Sequence, residues 1–378
     1  MTPYRKPFYV PTLRMKTGEL QGLARLDDNI KDHVLPHLII PPPAERDCEL
    51  QGVLMDTEGV PGAGIVLAKY WGGRRALLDV GFLFQDYGEK AGLWLPKAFE
   101  LARNARVDAV PVATIGDIES GRLQAFKDSL AAGPLSLGLR IFAADLVDPR
   151  AATDRIKRAI DRIGVPAGTI AALIDFTDMD FSQPDVVSGV IEGALHDLEG
   201  AASWHAIVAQ GTNYPEVNPA EHGGEDMVPR NEWIAWRRAV RFRADTSDHL
   251  WFGDYAADCA MMVFGNGGGR AIRHYRYTTP THWFVVRGAE TGTDTAVMRE
   301  VSRRIVESGH FAGRAFSAAD NFIFRTARTG GRPGNSTIWR EVNTTHHITR
   351  VVRDMSGVKG LHFAERRVEP EPVQAELL

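Results

Sequence analysis

Cysteine is nearly absent from this 378-residue chain: there are two, Cys48 and Cys259. Two distant thiols cannot build a zinc site alone, and a disulfide framework needs more of them. That usage points to a reducing, cytoplasmic setting. No stretch of 18 consecutive apolar residues occurs, so no membrane span is expected. Residues 1–10 carry Arg5 and Lys6 among prolines and lack the apolar run of a signal peptide. An excess of positive charge is missing as well. The formal net charge is -4, which argues against a protein that coats nucleic acid through bulk charge but leaves room for a local basic groove. Lysine is scarce. Nine of the 44 basic residues are lysine and the rest arginine, a side chain suited to bidentate contacts with phosphate or carboxylate. Glycine signatures of nucleotide folds are also missing. No Gly-x-Gly-x-x-Gly follows the first strand, and neither a P-loop nor a Gly-x-Ser-x-Gly elbow occurs.

What is present is ordinary globular material, 44% hydrophobic and 24% charged, enough for a large core. Eight short apolar runs read as strands: 8–13, 34–40, 76–83, 109–114, 137–143, 169–176, 204–209 and 249–252. Helical periodicity separates most of them, at 95–105, 119–131, after Asp148-Pro149, at 186–198 and at 229–240. Pro41-Pro42-Pro43 removes three backbone donors and ends the second run. Alternating strands and helices predict parallel βαβ units, and eight of them predict an α/β fold of the closed (β/α)8, TIM-barrel-like type. After the eighth strand the pattern changes. Gly265–Gly269 reads as a loop, and 272–277 with 283–287 as an antiparallel β-hairpin, an insertion spanning about 265–290. The helix through Val297, Val301 and Ile305 is assigned as the last barrel helix. A C-terminal helical extension is expected at about 310–364, so residues 1–364 form a single barrel domain. The charged, proline-containing segment 365–378 is expected to be mobile.

Several blocks resemble the phage-type beta protein family. They are Tyr9-Val10-Pro11-Thr12-Leu13 with Lys16, Gly18 and Glu19, then Phe252-Gly253-Asp254-Tyr255, then Arg276-Tyr277-Thr278 with Trp283–Gly288. The closing blocks are Gly334–Arg340 and Thr345-His346-His347. The second strand departs from the family's pattern, with Ile40 where an acidic residue usually stands. The resemblance implies a role in phages or in bacterial mobile and defence-associated loci, and no specific reaction.

A barrel places its site at the C-terminal ends of the strands. Those ends give Lys16, Glu19, Asp79, Asp117, Asp145, Asp175, Asp178, Gln210, Asp254 and Tyr255, with Arg273, Tyr275, Arg276 and Tyr277 added by the hairpin. Carboxylates mixed with cations and phenols suit an anionic small molecule or a nucleic-acid end, with Lys16, Glu19, Tyr255, Arg273, Arg276, Tyr277 and Arg340 as binding residues. A second reading is a metal-assisted phosphodiesterase. There Asp175 and Asp178 hold a divalent ion such as Mg²⁺ with Asp254, a histidine of the His346-His347 pair acts as acid or base, and Arg340 or Arg276 neutralises phosphate. A third is a structural adaptor that binds a protein partner through the Trp233–Arg243 segment. Each candidate has a plainer reading beside it. Lys16 pairs with a carboxylate, Asp178 and Asp180 are loop caps, Gly330–Thr337 is a turn, and Trp233 and Trp236 are core.

Overall fold

The computed structural model describes residues 6–42, 45, 47, 50, 62–241, 248–260, 272–328, 331–363 and 366–368. The loop expected at 265–269, Cys48, Arg243, Gly330 and nearly all of the 365–378 tail lie outside the described residues.

Eight parallel strands close into a barrel. In chain order they are β1 (Tyr9–Arg14), β2 (His37–Ile39), β3 (Arg75–Asp79), β4 (Asp108–Thr114), β5 (Leu137–Phe142), β6 (Ile170–Asp175), β7 (Ala206–Gln210) and, after an excursion that includes β8 (Glu225–Pro229), β9 (Leu250–Asp254). The seam pairs Pro11 with Asp254 and Val10 with Gly253. This is the (β/α)8 closure expected from eight apolar runs. The strands are Val-, Ile-, Leu- and Ala-rich because both faces are buried, one by the interior and one by the helices. Asp148 and Pro149 open a helix as the sequence suggested. The Asp148 carboxylate accepts from the Arg150 and Ala151 N–H groups, and the helix ends at left-handed Gly164.

The third strand stops at Asp79 rather than Leu83. The Asp79 carboxylate accepts the Gly81 N–H at 2.8 Å, which turns the chain straight into helix Gly81–Tyr87. The helix expected over 119–131 is two pieces, Ile115–Glu119 and Leu123–Ser129. The first is fixed by a capping box between Thr114 and Asp117.

The hairpin forms as β10 (His274–Thr278) and β11 (His282–Arg287), and gains a third strand, β8. Strand β8 reads Glu-Asp-Met-Val-Pro and is mostly exposed, so it carries no alternating pattern; it is held by pairing with β11, by Val228 against the Trp283 cluster and by an Arg304–Glu225 ion pair. Helix Asp294–Glu307 does not close the barrel. Its Met298, Val301 and Ile305 share a separate core with Tyr275, Tyr277, Phe284 and Val286 of the hairpin. The last barrel helix is Ser336–Val358, whose Ile348, Val351, Val352 and Met355 enter the main core.

That helix lies against helix Thr17–Ala24. The two approach closely because Gly18 and Gly22, one turn apart, carry no Cβ. A Cβ on Gly18 would sit 2.6 Å from the Thr337 carbonyl oxygen, and one on Gly22 2.6 Å from Thr344 Cβ. Among the described residues no helix is long and apolar enough to cross a membrane.

Candidate functional site

At the C-terminal rim of the barrel, Arg140 of β5 bridges Asp175 on the adjacent β6 and Asp79 on β3, on the far side of β4. Its Nε lies 2.7 Å from Asp175 Oδ2, and its Nη1 lies 3.0 Å from Asp79 Oδ2. The Thr177 N–H donates to Asp175 Oδ1 at 2.8 Å, and the Tyr255 hydroxyl donates at 3.2 Å. Burial alone would raise the Asp79 carboxyl. His37, Arg140 and the Gly81 N–H outweigh it and hold it at about 2, so it is ionised. Burial pushes the Tyr255 phenol up, with Asp175 adding to the effect, so it stays a donor. The acid-rich mouth expected from sequence is therefore partly balanced from within, by Arg140, the fourth residue of β5.

Tyr255 joins this rim to a cavity of about 240 Å³. The cavity lies between the end of β1, the segment after β9, the start of β10 and the first turns of helix Ser336–Val358. Its charged lining is Arg14, Arg276 and Arg340 against Glu19 and Asp258, three cations to two carboxylates. The Arg14 N–H and Nε donate to Glu19 at 2.6 and 3.0 Å, and its far end reaches Asp258. Arg276 Nη1 donates to Asp258 Oδ1 at 2.6 Å and to the Ala257 carbonyl at 2.5 Å. Burial would raise Asp258, but Arg14, Arg276 and Arg340 hold it well below the usual carboxylate range. His274 Nε2 accepts from Arg276 Nε at 3.0 Å. Burial first, and then Arg276, pushes this imidazole down to about 3, so the ring is neutral and, among the described residues, the cavity lining keeps a surplus of one positive charge.

Backbone geometry sets this lining. After β9 the chain turns at Ala256, a non-glycine residue in the left-handed region (φ 51°), and its N–H is tied to Asp254 Oδ1 at 2.8 Å. The turn lays Tyr255–Cys259 along the cavity wall. Gly18 lets Arg340 approach the helix that carries Glu19, with Arg340 Nη1 3.8 Å from Glu19 Oε1. The Arg340 side chain is 41% exposed, against 14% for Arg14 and 21% for Arg276, so it is the arginine best placed to swing onto a ligand.

The cavity gathers Glu19, Tyr255, Arg276 and Arg340 from the sequence-selected residues. The others lie elsewhere. Lys16 Nζ pairs with Glu45 at 2.6 Å. Arg273 binds the carbonyls of Ala289, Glu290 and Gly292 and holds a loop. Tyr277 donates to Asp320 at 2.6 Å and stacks on His346, inside the hairpin core. Asp254 accepts from the Tyr9 hydroxyl at 2.6 Å and faces His347 Nε2 at 2.9 Å, with His347 Nδ1 2.9 Å from Thr278 Oγ1. His346 sits between Asp320 and the Thr278 carbonyl. Asp254, His346 and His347 are thus tied to one another's surroundings and do not line the cavity.

The two proposed metal ligands are not brought into one cluster. Asp175 is bonded to Arg140 and Thr177, while Asp178 is exposed. Among the described residues no group of three or more His, Cys, Asp or Glu side chains is arranged to hold a metal ion. Asp180 accepts from Ser182, a turn contact. Trp233 and Trp236 are core residues, packed on Phe252. Asn335 caps the last helix through the Ile338 N–H, and the Pro333 carbonyl accepts from Trp339 Nε1, so the Gly331–Thr337 segment is a helix entry.

Sequence reasoning missed Arg14, Arg140, His37 and Asp258. Arg14 and Arg140 had a usable signal, since each is a lone charge within or ending an otherwise apolar strand. Asp258 had none, because its partners come from β1 and β10, 244 and 18 positions away.

Comparison with curated proteins finds no match, and comparison with solved structures finds none. A family model described as Beta protein matches residues 9–353, which takes in all eight barrel strands, the hairpin and most of the closing helix. The chain belongs to the Beta protein family.

Proposed function

We propose that this protein binds a phosphate-bearing ligand, a nucleotide or a nucleic-acid end, in the arginine cavity beside the barrel mouth, and that this binding serves a phage- or defence-associated role. The observation that carries the reading is the convergence of Arg14, Arg276 and Arg340 on one cavity where, among the described residues, Glu19 and Asp258 are the carboxylates that balance them. Planar guanidinium groups match phosphate oxygens in pairs, and two of the three are already held in fixed orientation by carboxylates. Preformed donors reduce the ordering that binding requires. Arg340 is the arm that completes the clamp.

Isothermal titration of the full chain with inorganic phosphate and with a 5′-phosphorylated dinucleotide tests this. Saturable binding of both is expected. Arg340→Ala should weaken it roughly tenfold, the effect of losing one charge-assisted contact worth about 1.4 kcal/mol. Absence of saturable binding to either probe would reject the reading.

A further inference from the structure

A second cavity, of about 310 Å³, lies at the end of helix Thr17–Ala24, against helix Ala318–Ala327 and against helix Ser336–Val358. It shares no lining residue with the arginine cavity beside the barrel mouth. Both use the closing helix: Trp339, Arg340 and Asn343 line one, and Ile338, Glu341 and Val342 the other. The charged lining of the second cavity is Arg25, Arg325 and Arg366 with Glu341. Arg25 Nε donates to Glu341 Oε1 at 3.0 Å, and the Arg25 side chain is still 68% exposed. Arg325 is exposed at the edge. Asp27 stands 3.7 Å from Arg366 Nη1. Even with Asp27 counted, the described residues leave three cations to two carboxylates.

Two of these lining residues carry buried polar atoms with no hydrogen-bond partner among the described residues. Asn321 Oδ1 is an acceptor without a donor, and Arg366 Nη1 is a donor without an acceptor. Buried groups of this kind are rarely left unpaired. An inorganic anion serves the guanidinium but not the amide oxygen. A peptide backbone offers an N–H and a carbonyl at each ordinary residue, and so serves both. Phe322 and Ile338 are half-buried beside them and supply an apolar floor for side chains. The lining therefore suits an acidic peptide that also carries apolar residues.

The chain carries such a sequence next to the cavity. Residues 369–378, outside the described residues, read Glu-Pro-Glu-Pro-Val-Gln-Ala-Glu-Leu-Leu, with Glu369, Glu371 and Glu376 and no cation. Arg366 lines the cavity, and Glu369 follows it in sequence within about 10 Å of extended chain. Pro370 and Pro372 fix two φ angles near their extended values, which lowers the ordering that docking requires. The tether makes docking intramolecular, so contacts that are weak one by one suffice. We propose that residues 369–378 dock in this cavity, with carboxylates on Arg25 and Arg325 and backbone groups on Asn321 and Arg366. The proposal does not depend on phosphate binding in the other cavity.

Amide hydrogen exchange of the full chain, read by mass spectrometry, tests this against a synthetic peptide of residues 369–378. The segment in the full chain is expected to exchange at least about tenfold more slowly than the free peptide. Arg325→Glu should remove that protection, and so should Glu→Gln at 369, 371 and 376 together. Combining Arg325→Glu with Glu→Arg at the same three positions should restore it. Exchange in the barrel strands should match in every variant, which separates loss of docking from loss of fold. Exchange of the segment at the free-peptide rate in wild type would overturn the proposal. Protection that survives both Arg25→Glu and Arg325→Glu would overturn it too, because the segment would then dock elsewhere. Protection that rises with protein concentration would overturn the intramolecular form and assign the cavity to the segment of a second copy.

Discussion

The Asp254 carboxylate and the His347 imidazole lie 2.9 Å apart, and neither side chain meets solvent. They join the end of the last barrel strand to the helix that closes the barrel. Tyr9 and Thr278 occupy the outer ends of the same chain of hydrogen bonds. Burial lowers the His347 ring, against the attraction of Asp254. The pair is a strut between barrel and helix layer. His347→Ala leaves a buried carboxylate with one partner fewer, and loss of about 3 kcal/mol or more of unfolding free energy is expected. Urea denaturation measures it. Phosphate affinity of the folded variant should match wild type. A stable His347→Ala protein that no longer binds phosphate would contradict this assignment.

Glu232 predicts a slope of stability with pH. Its carboxyl is buried beside Asp254. Burial first, with Asp254 adding and Arg230 opposing, pushes it up to about 8. A carboxyl whose folded pKa is raised stabilises the fold fully below its unfolded value near 4.5, and that contribution is lost as pH rises through about 8. Glu232→Gln keeps an acceptor for the Asn213 N–H, which lies 3.1 Å from Oε2, and carries no charge. It should raise stability at pH 9 by at least about 1 kcal/mol and leave it little changed at pH 5. Thermal melts at the two pH values compare directly. Equal gains at both would show that the carboxyl is not the titrating group.

Close helix approach gives a third expectation. Gly22→Ala puts a methyl group 2.6 Å from Thr344 Cβ, so the helices must part. Overpacking of this kind costs about 1–3 kcal/mol, more than the gain in helix propensity from glycine to alanine. Chemical denaturation should show the loss. Gly189→Ala is the control, because that helical glycine has open space around its Cβ position and should be neutral or stabilising.

The barrel was legible because burial on both faces of a parallel strand leaves an unbroken apolar run, and seven of the eight runs end within two residues of the observed strands. The exception, 76–83, failed because Asp79 turns the chain by bonding its own backbone, a local event that apolar counting does not see. Strand β8 was invisible for the opposite reason: its residues are polar and exposed, and only its hydrogen bonds to β11 make it a strand. The site was legible in part. Arg276, Arg340, Glu19 and Tyr255 stand where chain order put them, at or near the barrel mouth. Asp254 was selected as a strand-end carboxylate and His346-His347 as a candidate acid or base. Their burial makes them part of a structural network, a distinction that needs the third dimension. Arg140 shows the converse, since its two carboxylate partners are 61 and 35 positions away.

Phosphate titration of wild type against Arg276→Gln and Arg340→Ala tests the central claim most directly. Arg276→Gln removes a charge that Asp258 helps to fix, and its fold is checked by circular dichroism. The account predicts saturable phosphate binding by wild type, about tenfold weaker binding by Arg340→Ala, and weaker binding again by Arg276→Gln. It also predicts an affinity that falls with added salt, as charge pairing in an open cavity requires. Equal affinity in all three proteins, or no saturable binding by wild type, would contradict it.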